Sequence, residues 1–139
     1  LAERRPRFNP SPAKQKELLQ RFVVACSGGD LAGLTDILAR DAVVWADGGG
    51  KAVTVMHPVI GAAAVARFFA GMTRQTLDEM GLRIEEVEVN GAPALALYED
   101  DSLTTVMCFA IENDRIAAVY GVRNPDKLAF IARQLQQRP

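Results

Sequence analysis

Among the ionisable residues of this chain, four are the candidates to move a proton or steady a developing charge. Asp47 heads the run Asp47-Gly48-Gly49-Gly50-Lys51, His57 is the single histidine, and Tyr98 and Tyr120 are the two tyrosines. Proton abstraction beside a carbonyl needs a base within hydrogen-bond reach and a donor aimed at the oxygen that gains charge. Asp47 or His57 would be the base, and a tyrosine hydroxyl the donor. Each also has a plainer reading. An aspartate ahead of glycines binds its own backbone in a turn. His57 precedes Pro58, whose ring biases it to an extended conformation, at the rim of a helix. Strand tyrosines usually pack their rings and leave the hydroxyl wet. The strand positions expected to face inward, Val106, Met107, Cys108, Phe109, Ile116 and Val119, supply no partner for an oxyanion. No catalytic residue is therefore assigned.

Two further chemistries fail on spacing. A phosphate loop needs glycine where Trp45 stands and Ser or Thr where Ala52 stands. The dinucleotide fingerprint needs a third glycine at Val53. Cys26 and Cys108 lack the paired spacing of a zinc site or a disulfide framework and read as free thiols. No metal and no cofactor is expected.

The elements that must position these residues follow from composition and periodicity. A chain of 139 residues, 49% hydrophobic and 24% charged, fits one domain with a real core. Sixteen basic against seventeen acidic residues, a net charge of −1, exclude a domain that grips a phosphate backbone over its whole face. No apolar run reaches the roughly 18 residues of a membrane span. Arg4, Arg5 and Arg7 crowd ahead of Pro10 and Pro12, and the first residue is Leu1. Residues 1–10 thus read as a solvated linker from something upstream, and 11–139 as the domain itself.

Ser11-Pro12 starts a helix as N-cap and first-turn proline, with Leu18, Leu19, Phe22, Val23 and Cys26 on one face. Gly28-Gly29 ends it. Asp30 caps a second helix whose inner face is Leu31, Leu34, Ile37 and Leu38. Residues 42–46 and 52–56 read as short strands around the glycine turn. Gly61 opens one long helix through Val65, Phe68, Phe69, Met72, Thr76 and Met80. The period then changes to two. Strands at 83–89 and 94–98 flank Asn90-Gly91, the strongest short hairpin signal. Leu103, Thr105, Met107, Phe109 and Ile111 alternate along the next strand. After Asn113-Asp114, Ile116, Ala118, Tyr120 and Val122 alternate along the last. Asn124-Pro125 caps a final helix through Leu128, Ile131 and Leu135. Local physics explains Asn124, Pro125 and Asp126 as cap, first-turn proline and dipole complement. It does not explain Lys127, whose charge opposes the dipole.

This order of elements resembles the nuclear-transport-factor-like, or SnoaL-like, superfamily over residues 11–122. The resemblance implies an α+β cone in which a curved antiparallel sheet packs against helices, with an added C-terminal helix. Its cone offers a candidate ligand pocket at Trp45, His57, Tyr98, Met107, Phe109 and Tyr120. Isomerases and polyketide cyclases of this fold place a base near the end of the first strand, and Asp47 lies one residue later.

The pentapeptides Asp47-Gly48-Gly49-Gly50-Lys51 and Asn124-Pro125-Asp126-Lys127-Leu128 narrow the resemblance. With Val89-Asn90-Gly91-Ala92-Pro93-Ala94 between them, they resemble the C-terminal extension of a group of bacterial extracytoplasmic-function (ECF) sigma factors. That resemblance implies a cytoplasmic regulatory domain joined by residues 1–10 to an absent DNA-reading domain. Its partners would be the sigma-core domains of the same polypeptide and RNA polymerase. Promoter DNA would be met only through the absent domain, no membrane is involved, and a homodimer through the sheet stays open. The two pentapeptides, with Lys51 and Lys127, are the expected interaction motifs and are expected at the surface. A stand-alone isomerase or cyclase is the alternative.

Overall fold

The computed structural model describes residues 11–47 and 58–136. Helix α1 (Pro12–Ser27) begins as its sequence dictates: Ser11 Oγ accepts a hydrogen bond from the Lys14 N–H at 3.2 Å, and Pro12 sits in the first turn. Asp30 caps α2 (Leu31–Ile37) by accepting from the Gly33 N–H at 2.9 Å. Leu38 is buried but is not part of that helix. The chain turns extended there and enters β1 (Leu38–Asp47), because Leu38 pairs across to Ile116. The first strand is thus longer than residues 42–46. The strand expected at 52–56 lies outside the described residues, and a short β2 (Val59–Ile60) pairs antiparallel with β1.

The expected long helix is two. α3 (Ala62–Ala70) stops at Gly71, and α4 (Arg74–Glu79) restarts after Thr73. Thr73 has extended backbone, and its Oγ1 accepts from the Thr76 N–H at 3.2 Å, so a new cap outcompetes continuation. Restarting rotates the face: Leu77 is buried instead of Thr76, and Met80 is 58% exposed.

The meander forms as its turns predict. Strands β3 (Leu82–Val89) and β4 (Ala92–Glu99) meet at Asn90 and Gly91, with φ of 52° and 81°. Strands β5 (Ser102–Glu112) and β6 (Arg115–Val122) meet at Asn113 and Asp114, with φ of 53° and 61°. Both hairpins hold positive φ at both central residues, as a type I′ turn requires. Helix α5 (Pro125–Gln136) follows. The curved sheet has the order β2-β1-β6-β5-β4-β3. All neighbours are antiparallel except β1 and β6, which are parallel.

Two irregularities reset the alternation. The partners of Leu97 and Tyr98 on β5 are Thr105 and Leu103, leaving Thr104 as an extra residue. Its Oγ1 donates to the Leu97 carbonyl at 3.2 Å. The partners of Ala110 and Ile111 on β6 are Ala118 and Ile116, leaving Ala117 extra. A bulge shifts the residues beyond it to the other face. Leu103 therefore parts from Met107, Phe109 and Ile111, while Tyr120 and Val122 part from Ile116.

Each face has its own core. The inner face packs Val44, Leu95, Leu97, Met107, Ile116 and Val119 against α1, α2 and α3. Phe22 sits at the centre, its ring edge-on to Phe69 at 4.9 Å and to Phe109 at 5.2 Å. The outer face packs Ala94, Val106 and Val122 against Leu128 and Ile131 of α5.

Candidate functional site

Because β1 and β6 run parallel, both end at the same side of the sheet. Asp47 lies opposite Val122. The chain leaves β1 at Asp47 towards residues 48–51, and leaves β6 through Arg123 into Asn124. Two motifs far apart in sequence thus depart from neighbouring strand ends. The backbone of Asp47 closes β1, while Gly48, Gly49, Gly50 and Lys51 lie outside the described residues.

Beside these strand ends opens a cavity of about 490 Å3 between the inner face and the α3–α4 segment. Its helical wall is Phe68, Phe69, Met72 and Met80, and its sheet wall includes Val44, Leu97, Met107 and Val119. The polar side chains gather at one end. Thr105 pairs with Leu97, Glu99 with Ser102, and Arg123 comes next after the Val106–Val122 pair, so Glu99, Thr104, Thr105 and Arg123 lie near one another across three strands. Glu99 is exposed and forms the rim; Arg123 is half-buried, with its Nε withdrawn from solvent.

Of the residues expected to line this cavity, Met107 does so and Trp45 borders it. Phe109 instead meets Phe22 edge-on in the core. Tyr98 lies under the Arg83 guanidinium, 4.6 Å from ring to cation, away from the cavity lining. Burial raises its hydroxyl pKa, Glu85 adds to this, and Arg83 opposes it. Tyr120 is displaced to the outer face by the bulge at Ala117, where its ring meets Trp45 at 5.6 Å. His57 lies outside the described residues. The thiols are poor nucleophiles, since burial pushes Cys26 up to about 12 and raises Cys108 as well. Among the described residues no cluster of His, Cys, Asp and Glu could hold a metal ion.

The polar end of the cavity escaped the sequence reading. Its signal was present: counted from beyond the bulge, Val119, Gly121 and Arg123 alternate onto the cavity face. The bulge itself, set by pairing with β5, hid the correct phase.

The second motif divides in two. Asn124 Oδ1 accepts from the Asp126 N–H at 2.9 Å, and the Leu128 N–H donates to the Asn124 carbonyl at 2.9 Å, so the cap forms. Pro125, Asp126 and Lys127 are exposed. Leu128, expected at the surface, is only 7% exposed and anchors α5 to the outer core. The helical period places it one turn from Ile131, which points the same way. Lys127, Phe130, Cys108 and Tyr120 border a shallow groove on this outer side.

A family model described as a SnoaL-like domain matches residues 19–124. The chain is 25% identical over 138 residues to the ECF RNA polymerase sigma factor SigJ of Mycobacterium tuberculosis. The match takes in 94% of this chain but 43% of the sigma factor, in its C-terminal portion. The crystal structure of that sigma factor superposes with a TM-score of 0.66 at 24% identity, over 82% of this chain and 43% of that one. An NTF2-like protein of unknown function from Mesorhizobium loti superposes with a TM-score of 0.55 at 17% identity, over 83% and 94% of the two chains. No helix among the described residues is long and apolar enough to cross a membrane.

Proposed function

The chain belongs to the SnoaL-like domain family, and we propose that it is the regulatory C-terminal extension of an ECF RNA polymerase sigma factor. The observation that carries this reading is the parallel pairing of β1 with β6, which sets Asp47 opposite Val122 and starts both motifs from one place. The similarity to the C-terminal portion of a sigma factor supports it. In this reading the exposed Pro125, Asp126 and Lys127, together with residues 47–51, dock on the sigma-core domains of the same polypeptide. Docking regulates only if its contact free energy differs between two arrangements of that core. RNA polymerase is then the assembly regulated, promoter DNA is read by the upstream domain, and the place of action is the cytoplasm. The apolar cavity beside the docking face adds a sensor: occupancy by a small molecule would bias the docked arrangement.

The test is the pair Lys51→Glu and Lys127→Glu. Lys127 is exposed and the docking reading puts Lys51 at the surface too, where substitutions shift folding by about 0.5 kcal/mol at most; a glutamate in the first turn of α5 also complements the helix dipole. The melting curve of this chain is expected to stay nearly unchanged, while promoter-reporter output from the intact sigma factor changes. Unaltered output from a normally folded double variant removes the docking reading. Turnover of a ketosteroid-type substrate that is lost in Asp47→Asn or His57→Ala would replace it with the isomerase or cyclase alternative.

A further inference from the structure

We infer that the cavity takes an organic acid with a single carboxylate head, and that its occupancy is passed to α5 through Arg123. The inference deepens the sensor part of the proposed function and rests on it. The cavity volume, about 490 Å3, suits a small-molecule ligand. Its composition is graded along the strands. Val44, Phe69, Met107 and Val119 make an apolar wall, and Thr105 and Arg123 stand at the polar end. A ligand matched to this gradient has an apolar body and one polar head.

Arg123 is the cation among the described lining residues, and a planar guanidinium suits a carboxylate, which it can hold by two parallel hydrogen bonds. The Thr105 hydroxyl lies on the neighbouring strand as a further donor. Glu99 on the rim opposes a second negative charge, which selects against doubly charged heads such as phosphate monoesters. The head group is thus a monoanion.

Arg123 is also the only residue between the last residue of β6 and the cap of α5. Val122 on one side packs against Leu128 and Ile131 in the outer core, and Asn124 on the other caps the helix. The side chain that meets the ligand and the backbone that seats α5 therefore share one residue. A carboxylate that draws the guanidinium into the cavity favours one seating of the helix over another, which is the differential interaction a switch needs.

The test uses this chain with sodium decanoate and 1-decanol as probes, read by isothermal titration calorimetry. Decanoate is expected to bind at least tenfold more tightly than decanol. Arg123→Gln is expected to lower decanoate affinity at least tenfold and leave decanol binding unchanged. Met107→Trp, which fills the cavity, is expected to abolish both. Hydrogen exchange of α5 amides is expected to change at least threefold with decanoate in the unaltered chain and not in Arg123→Gln. Equal affinity for the two probes, binding of neither, or binding that survives Met107→Trp overturns the ligand assignment. Should Arg123→Gln fail to fold, the probe comparison and Met107→Trp still decide it. Tight decanoate binding with unchanged α5 exchange overturns the coupling. None of these measurements involves a sigma core, so their outcome is separable from that of the promoter reporter.

Discussion

The two faces of the sheet are covered very differently. On the inner face, helices α1 to α3 bury Leu18, Phe22, Leu34, Val65 and Phe69 to 2% exposure or less. On the outer face a single helix among the described residues, α5, lies across the strands, and its anchors Leu128 and Ile131 retain 7% and 9%. The inner core ties together elements from residue 12 to residue 122, so it opens only when the whole fold opens. Among the described residues the outer core ties the one helix α5 to strands β3 to β6, so it can open by itself. The difference separates a part that specifies the fold from a part whose seating can be regulated, and Arg123 lies between them.

Phe22→Ala should have the largest effect. Removing a ring that meets both Phe69 and Phe109 leaves a cavity in a close-packed region and should cost about 3–5 kcal/mol. Denaturant unfolding would show it, with amide exchange accelerated throughout the sheet. Leu128→Ala should cost about 2 kcal/mol, at the low end for leucine truncation because the site is peripheral. Here faster exchange should be confined to α5. If Leu128→Ala accelerates exchange as widely as Phe22→Ala, the outer helix is not a separate unit and the comparison fails.

Asn124→Ala removes the side-chain cap of α5 and should cost about 1 kcal/mol. Its effect should appear as loss of helical signal in α5 at nearly constant sheet stability; an unchanged helix would show that Leu128 and Ile131 alone seat it. The thiols sharpen the comparison at the smallest scale, one on each face. Cys108, half-buried against α5, should be alkylated faster than the buried Cys26. Folded Cys26 keeps its proton up to about pH 12, against an ordinary 9.0. Its contribution is therefore intact below pH 9 and is lost as pH rises towards 12, by about tenfold in the folding equilibrium at pH 10. Cys26→Ala should flatten that alkaline decline, and an identical decline in the variant would assign the slope to other groups.

Much of this was legible locally. Ser11-Pro12, Asp30, Asn90-Gly91, Asn113-Asp114 and Asn124-Pro125 each carry their own turn or cap chemistry, and each forms where the residues say. Backbone preferences and side-chain caps act over three or four residues, so a linear sequence contains them whole. The break at Gly71 to Thr73 was also local, but it competed with an apolar helical period running straight through it, and the Thr73 cap prevailed.

The site was legible only in part. Both motifs stand out in the sequence, and so does Met107 as a cavity residue. Which face Tyr120, Leu103 and Arg123 take depended on the extra residues Thr104 and Ala117, and a bulge exists only relative to a partner strand. The sequence by itself determined the capped helix starts, the hairpin turns and the apolar stock from which two cores could be built. Tertiary structure alone decided that β1 lies parallel beside β6, and hence that Asp47 and Val122 end together. The physical reason is range: caps and turns are closed by neighbours in the chain, whereas strand pairing is closed by residues whose proximity the fold itself creates.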